Sequence, residues 1–335
     1  MLTKSLVALE LSLLLWSGGA GAEPSSAEAE ARYVICVEKK FGFVDSKGAV
    51  VIAPRFELAE SFAGGLAAAR QGGKWGYLDA RGRWAIPPRF ELAEDFADGL
   101  AAVVVRGKHG YVDKTGRLVV TPRFDEGGAF ASGLAPVAVG AQRGYVDRTG
   151  RLRVPARYLA AASFSEGLAA VGTASGYGYI DPSGRQVIPP RFSVAFRFSE
   201  GRAAVRDERG KVGFVDRAGK VVVPPQYDSA GDFSERLALV SLAGRYGFVD
   251  LAGKVVLPLT YEGASEFAGG LAVIKRKGRH GFVDRRGRVV IPPRFYLASP
   301  FSGRLAGVWI DERTTGWIDR SGKVVFSTGV CRLPL

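Results

Sequence analysis

Glu57/Glu60 and Glu91/Glu94 are the carboxylate pairs of this chain whose spacing could serve acid–base chemistry. Two carboxyls flanking a sugar can act as the acid and the base or nucleophile of a glycoside hydrolase. The pairs recur 34 residues apart, however, and at the second position of the pair the other copies carry Gly, Ala, Ser or Phe. Exposed loop glutamates need no catalytic explanation. His109 and His280 could ligate a metal, but a site needs several such ligands together, and no spaced Cys/His set accompanies them. Ser165 and Ser199 lie in Phe-Ser-Glu-Gly with no histidine at the equivalent place in the repeat, so a hydrolytic triad is unsupported. Gly107 and its neighbours open no helix and form no phosphate loop. The expectation is a non-enzyme without a cofactor.

Charge offers the other candidate chemistry. The chain carries a formal net charge of +13, and its cations repeat in phase. One ladder is Arg83, Arg117, Arg151, Arg185, Lys220, Lys254, Arg288 and Lys323. A second is Arg55, Arg89, Arg123, Arg157, Arg191 and Arg294. Equivalent residues of a repeat fall at equivalent places, so each ladder forms a stripe or rim. Such a rim could hold an anionic glycan or lipid. Alternatively, the in-phase aspartates, Asp45 to Asp319, could neutralise one ladder while capping turns.

These residues are positioned by a period. Gly-aromatic-Val/Leu/Ile-Asp-x-x-Gly recurs with first glycines at Gly42, Gly76, Gly110, Gly144, Gly178, Gly213, Gly247, Gly281 and Gly316. The spacings are 34 or 35 residues, which marks stacked units that cannot bury their apolar faces alone. Asp-x-x-Gly suits a type I turn with a glycine bulge. A short strand follows and is ended by proline, as Trp84-Ala85-Ile86 is by Pro87-Pro88. Two aromatics of the crossing segment, such as Phe90 and Phe96, recur in phase and should pack between units. A third strand, such as Leu100 to Val105, completes a three-stranded antiparallel meander. Glycine, proline and β-branched residues are too frequent for a helical repeat of this length.

Trp75-Gly76-Tyr77-Leu78-Asp79 and Phe96-Ala97-Asp98-Gly99-Leu100-Ala101 resemble the WG-repeat family of bacterial proteins. The resemblance covers about residues 33–326 and departs at the leading Trp, which varies from copy to copy. It implies a β-rich repeat fold and a binding or scaffolding role.

The fold class expected is all-β, nine tandem repeats in a propeller-like ring or arc, with an open superhelix as the alternative. Tyr33 to Val37 precedes the first glycine and could complete the last sheet of a ring. Propellers typically have about 4–8 blades of four strands, so nine thin units stand outside that norm. Residues 1–22 read as a secretory signal ending Ala20-Gly21-Ala22, followed by a polar spacer at 23–32, the array at 33–326 and a tail at 327–335. Once the signal is cleaved, no stretch is long and apolar enough to span a bilayer. Export to the periplasm or beyond argues against nucleic acid and allows Cys36 and Cys331 to bond and clasp the ends. The expected role is an envelope scaffold for a protein partner, with binding of anionic envelope glycan or lipid as the alternative.

Overall fold

Two hairpin turns and one crossing turn shape every repeat. In the first hairpin turn, Asp79 N–H donates to Arg83 O and Gly82 N–H to Asp79 O, both at 2.9 Å. Gly82 has φ 74°, as a glycine bulge requires. The aspartate side chain completes the turn: Asp79 Oδ1 accepts from the N–H groups of Arg81 (2.9 Å) and Arg83 (3.0 Å). The second hairpin turn uses a pair of residues with positive φ, such as Arg106 and Gly107, which matches the right-handed twist of the strands.

The computed structural model describes residues 31–329. The expected signal at 1–22, nearly all of the 23–32 spacer, and Cys331 lie outside the described residues. Nine antiparallel sheets form a nine-bladed β-propeller. Eight blades have four strands, not the three expected. The extra strand comes from the crossing segment, whose first residues add to the Leu-Ala strand. In the third blade the order is Leu92–Ala93, Leu100–Val105, Lys108–Asp113 and Leu118–Phe124. A strand of two residues has too little alternation to be read as one from sequence. Blade 1, Tyr33–Val37, Lys40–Val44 and Val50–Phe56, has three.

The first strands of blades 6 and 7, Val194–Ser199 and Ser229–Ser234, touch, and first strands also touch the second strand of the preceding blade, whereas fourth strands of neighbouring blades make no comparable contact among the described residues. The first strands therefore surround the axis and the proline-bearing strands form the outer edge. Prolines there remove the donors through which an exposed edge could pair with another chain.

The core is a set of seams between blades. At eight seams the motif aromatic of one blade meets the second crossing aromatic of the next, as Tyr145 meets Phe164 and Tyr179 meets Phe198, with ring centroids 4.8 Å apart. The ninth seam closes the ring differently. Tyr33 and Trp317 pack at 5.0 Å, Trp317 Nε1 donates to Val34 O at 3.1 Å, and Arg304 N–H donates to the Tyr33 hydroxyl at 3.1 Å. Tyr33 stands where the other blades carry an alanine (Ala67, Ala101, Ala135 and onward). Its ring fills the space that the crossing aromatic takes elsewhere. Tyr33–Val37 pairs with Lys40–Val44 in its own sheet, so it does not complete the last blade as expected. The outer strand of blade 9 runs Val324–Gly329, three residues into the expected tail.

Candidate functional site

The two cation ladders have different fates. In the second, each guanidinium lies about 5 Å over the ring of the aromatic that follows it, as Arg55 over Phe56 and Arg191 over Phe192 (both 5.0 Å). The same guanidinium then donates to the carbonyl of a turn glycine in the next blade: Arg55 to Gly82 (2.7 Å), Arg123 to Gly150 (2.6 Å), Arg157 to Gly184 (3.4 Å) and Arg294 to Gly322 (2.6 Å). Arg89 and Arg191 make the same bond to Gly116 and Gly219. These six residues clamp one blade to the next while staying exposed, so their in-phase recurrence has a structural role whether or not they meet a ligand. Arg123→Ala is expected to lower stability by about 1–2 kcal/mol through the lost cation–π contact and charged hydrogen bond, measured by denaturant unfolding. An unchanged midpoint would show that this clamp adds no stability.

The first ladder is exposed in the Asp-x-x-Gly turns. Arg83, Arg185 and Arg288 pair with their motif aspartates Asp79, Asp181 and Asp284 at 2.9, 3.0 and 2.6 Å. Those arginines keep 69–79% of their side-chain surface in water, so the pairs add little stability. Arg117, Arg151, Lys220, Lys254 and Lys323 project from equivalent turns, joined by Lys47, Arg81, Lys114, Arg148, Arg217, Arg285, Arg286 and Arg320. The sixteen cations named in these turns outnumber the nine motif aspartates, so this face of the disc is basic. Between blades 9 and 1 it opens into a cavity of about 780 Å³, lined by Lys47, Arg304, Arg320 and Lys323, with Asp319 its one carboxylate.

The turn aspartates set an acid limit on stability. The Ser183 hydroxyl and the N–H groups beside it outweigh desolvation and hold the Asp181 carboxyl down to about 2. At Asp147 desolvation opposes the shift, but donors from Thr149, Arg151 and Arg153 still bring it to about 2. A carboxylate whose folded value is depressed contributes stability above its unfolded value and loses it as pH falls through the folded one. Stability is therefore expected to fall between about pH 4 and pH 2, and Asp147→Asn should flatten that slope. An unaltered slope in acid titrations followed by circular dichroism would contradict this role.

The carboxylates singled out in the sequence do not converge as an acid–base pair. Glu57 accepts from Gly72 (2.8 Å) and Gly73 (3.2 Å), and Glu91 from Arg106 (3.0 Å) and Gly107 (2.9 Å). Both cap hairpin turns. Glu60, on the first strand of blade 2, instead lies near Glu94 and Asp95, which directly follow the first strand of blade 3. Desolvation, with the neighbouring carboxylates, raises the Glu60 and Asp95 carboxyls. His280 Nδ1 lies 2.7 Å from Tyr296 O, and burial lowers its basicity. No group of three His, Cys, Asp or Glu able to hold a metal occurs among the described residues. Ser165 and Ser199 donate across seams to Phe198 O (2.6 Å) and Phe233 O (2.7 Å). Cys36 is half-buried on Tyr33–Val37 and is not a free thiol, whereas Cys331 lies outside the described residues.

Sequence reasoning missed the inner-rim acids. Asp98, Glu166, Glu200 and Glu235 hold positive φ in the crossing turn. Each carboxylate accepts a backbone N–H of the next blade, from Gly133 (3.2 Å), Gly201 (3.0 Å), Arg236 (2.7 Å) and Gly270 (2.9 Å). Their in-phase recurrence before Gly or Arg was the available signal. Arg202, which replaces the repeated leucine, also has a role: its guanidinium donates to Leu251 O (3.2 Å) in the next blade and to Gly201 O (3.0 Å).

The family model described as WG containing repeat matches residues 41–75, 75–108, 110–141, 144–172, 177–211, 213–246, 246–279 and 281–309. No curated protein matches the chain. Among solved structures, a crystal structure of the eukaryotic initiation factor is similar at TM-score 0.66 and 10% identity, covering 90% of this chain and 96% of that one. BamB from Moraxella catarrhalis is similar at TM-score 0.45 and 10% identity, covering 87% and 91%. At these identities the first likeness is one of fold alone, and the second carries no argument.

Proposed function

Because the chain belongs to the WG containing repeat family and its repeats close into a nine-bladed ring, we propose that it is an exported, non-enzymatic scaffold that binds a protein partner in the cell envelope. The observation that carries this reading is the commitment of nearly every chemically capable side chain to turns and seams, beside a ring of exposed hairpin turns on one face. Glu57, Glu91, Ser165 and Ser199 all hold backbone groups of the fold. A repeated rigid face presents the same group many times at fixed spacing, which suits an extended interface. The expected leader at 1–22 supports export.

A second reading is favoured by the charge of that face. Unpaired cations such as Arg117, Arg151, Lys220 and Lys254, with the basic cavity between blades 9 and 1, suit an anionic envelope glycan or lipid. Salt separates the two readings, because charge-driven binding weakens steeply as the Debye length shrinks from about 14 Å to about 6 Å between roughly 50 and 300 mM salt. Capture of envelope components by the Glu23–Leu335 protein at both salts supports the scaffold when a discrete protein is retained throughout. Glycan or lipid held only at low salt supports the second reading. In that case Arg117→Glu, Arg151→Glu, Lys220→Glu and Lys254→Glu together should reduce retention to background. Retention unaffected by these changes would remove the basic face from consideration.

A further inference from the structure

The seam between blades 9 and 1 is filled differently from the others. At the other eight, the turn glycine of one blade faces an aliphatic side chain of the blade before it, as Gly82 faces Ile52, Gly150 faces Val120 and Gly322 faces Ile291. By the period Phe326 holds that place in blade 9, yet Gly48 of blade 1 meets the backbone oxygen of Val325 instead. The arginine clamp is missing as well, because Gly329 stands where blade 8 has Arg294. The cavity of about 780 Å³ opens at this seam. Blades 7 and 8, where Thr260 replaces the arginine, leave a smaller one of about 320 Å³ at the equivalent place, lined by Arg236, Asp250 and Arg285.

We propose that the larger cavity binds a phosphate ester, either a lipid headgroup or a soluble ester, and that its occupant ties blade 9 to blade 1. This deepens the second reading of the basic face, on which it rests, by giving that face one particular pocket. Blade 9 contributes Arg304, Arg320 and Lys323, and blade 1 contributes Lys47. The charged ends of Lys47, Arg304 and Lys323 make no hydrogen bond or ion pair among the described residues, where only their backbone N–H groups are engaged. Arg320 is fixed in place: its guanidinium lies 5.2 Å over the Phe301 ring and donates to Gly269 O at 2.5 Å. Asp319 accepts from the Ser321 hydroxyl (2.6 Å) and from the N–H groups of Ser321 (2.9 Å) and Lys323 (3.0 Å), so its carboxylate serves its own turn. Four cations against this one carboxylate leave three positive charges uncompensated. A phosphate ester, with about 1.5–2 negative charges and its acceptor oxygens, offsets more of that excess than a carboxylate does. Val324 and Val325 add an apolar wall for the carbon skeleton, and the volume lies within the roughly 300–1,000 Å³ of small-molecule sites. Blades 9 and 1 are not consecutive in the chain, so a ligand gripped from both sides restrains a seam that the described chain does not cross.

Inorganic pyrophosphate is the probe. Calorimetry at about 150 mM salt, where the Debye length is about 8 Å, should find one pyrophosphate per protein. Several equivalents would spread the binding over the repeated turns and overturn the site, as would none. Lys47→Ala/Lys323→Ala should weaken binding at least about tenfold through the lost charged hydrogen bonds. Lys74→Ala/Lys277→Ala removes the same charge from hairpin turns at the other ends of the strands and should change binding less than about twofold. Equal losses in the two variants would show a response to net charge alone and overturn the site. In the wild-type protein, pyrophosphate should slow amide exchange in Tyr33–Val37, a readout that needs no variant. Unchanged exchange would refute the tie between blades 9 and 1. Displacement of the probe by phosphatidic acid vesicles would assign the ester to a lipid, displacement by glucose 6-phosphate alone would assign it to a soluble compound, and displacement by neither would overturn the ester. Retention of anionic glycan or lipid without binding of pyrophosphate would sink this pocket and leave the second reading of the face standing, whereas loss of both would remove the two together.

Discussion

Gly281→Ala is expected to unfold the eighth blade. A Cβ built on Gly281 would lie 2.5 Å from Ile291 O and 2.6 Å from Pro293 N, closer than real Cβ atoms come to backbone. Neither atom belongs to a side chain that could swing away. The proline-bearing strand would have to retreat from the strand it pairs with, where Phe282 opposes Ile291 and Val283 opposes Val289. Overpacking typically costs about 1–3 kcal/mol, and a clash with fixed backbone belongs at or above the top of that range. Domains are stable by only about 5–15 kcal/mol, so the protein should be recovered poorly or melt far earlier. The same approach recurs at every motif glycine, which explains why this position stays glycine while the residue before it varies from Trp75 to His109 to Val212. A Gly281→Ala protein with wild-type melting would show that the strand yields. Gly107→Ala is the comparison of choice. Nothing lies within 4 Å of a Cβ there, and only the strain of its φ of +70° applies.

Phe198→Ala should cost about 3–5 kcal/mol, the range for truncating a buried aromatic. Phe198 is fully buried, its ring is 4.8 Å from that of Tyr179, and it packs with Ile188 and Phe192 of one blade and Ala203, Val205 and Val215 of the next. Losing it weakens a seam between blades, so the damage should spread around the ring. Phe196→Ala is the internal control. Phe196 is 37% exposed near the axis, and only its carbonyl is used, as acceptor for the Tyr179 hydroxyl at 2.7 Å. That substitution should change stability by less than about 0.5 kcal/mol. Equal losses at the two positions, measured by denaturant unfolding, would refute the assignment of Phe198 to the seam.

Charge near the axis gives a smaller effect of opposite sign. Burial and the adjacent Glu94 carboxylate raise the Asp95 carboxyl. Its ionisation therefore opposes folding at neutral pH, and the cost is relieved as pH falls through the raised value. Asp95→Asn should be the more stable protein at neutral pH and lose that advantage in acid. Greater stability of the wild type at neutral pH would contradict the placement of Asp95.

What the sequence determined is local. Asp79-x-x-Gly82 encodes its turn through a side-chain acceptor and a residue free to take positive φ. Pro87-Pro88 marks an outer strand because proline cannot donate. Gly76-Tyr77 and Phe96 announce by their period that each unit buries aromatics against its neighbours. The turn pairing of Arg83 and Arg185 with their aspartates was likewise legible, since the partners are four residues apart. Tertiary structure decided the rest. Closure depends on a small rotation per blade summed over nine blades, which no single repeat encodes. Leu92–Ala93 is a strand only because Val103 and Val104 lie beside it, and Tyr33 fills a seam only because the ring brings Trp317 to it. Arg55 and Arg123 look like ligand-binding cations along the chain. They became clamps because folding brings the carbonyls of Gly82 and Gly150, 27 residues away in sequence, within hydrogen-bond reach of their guanidinium groups.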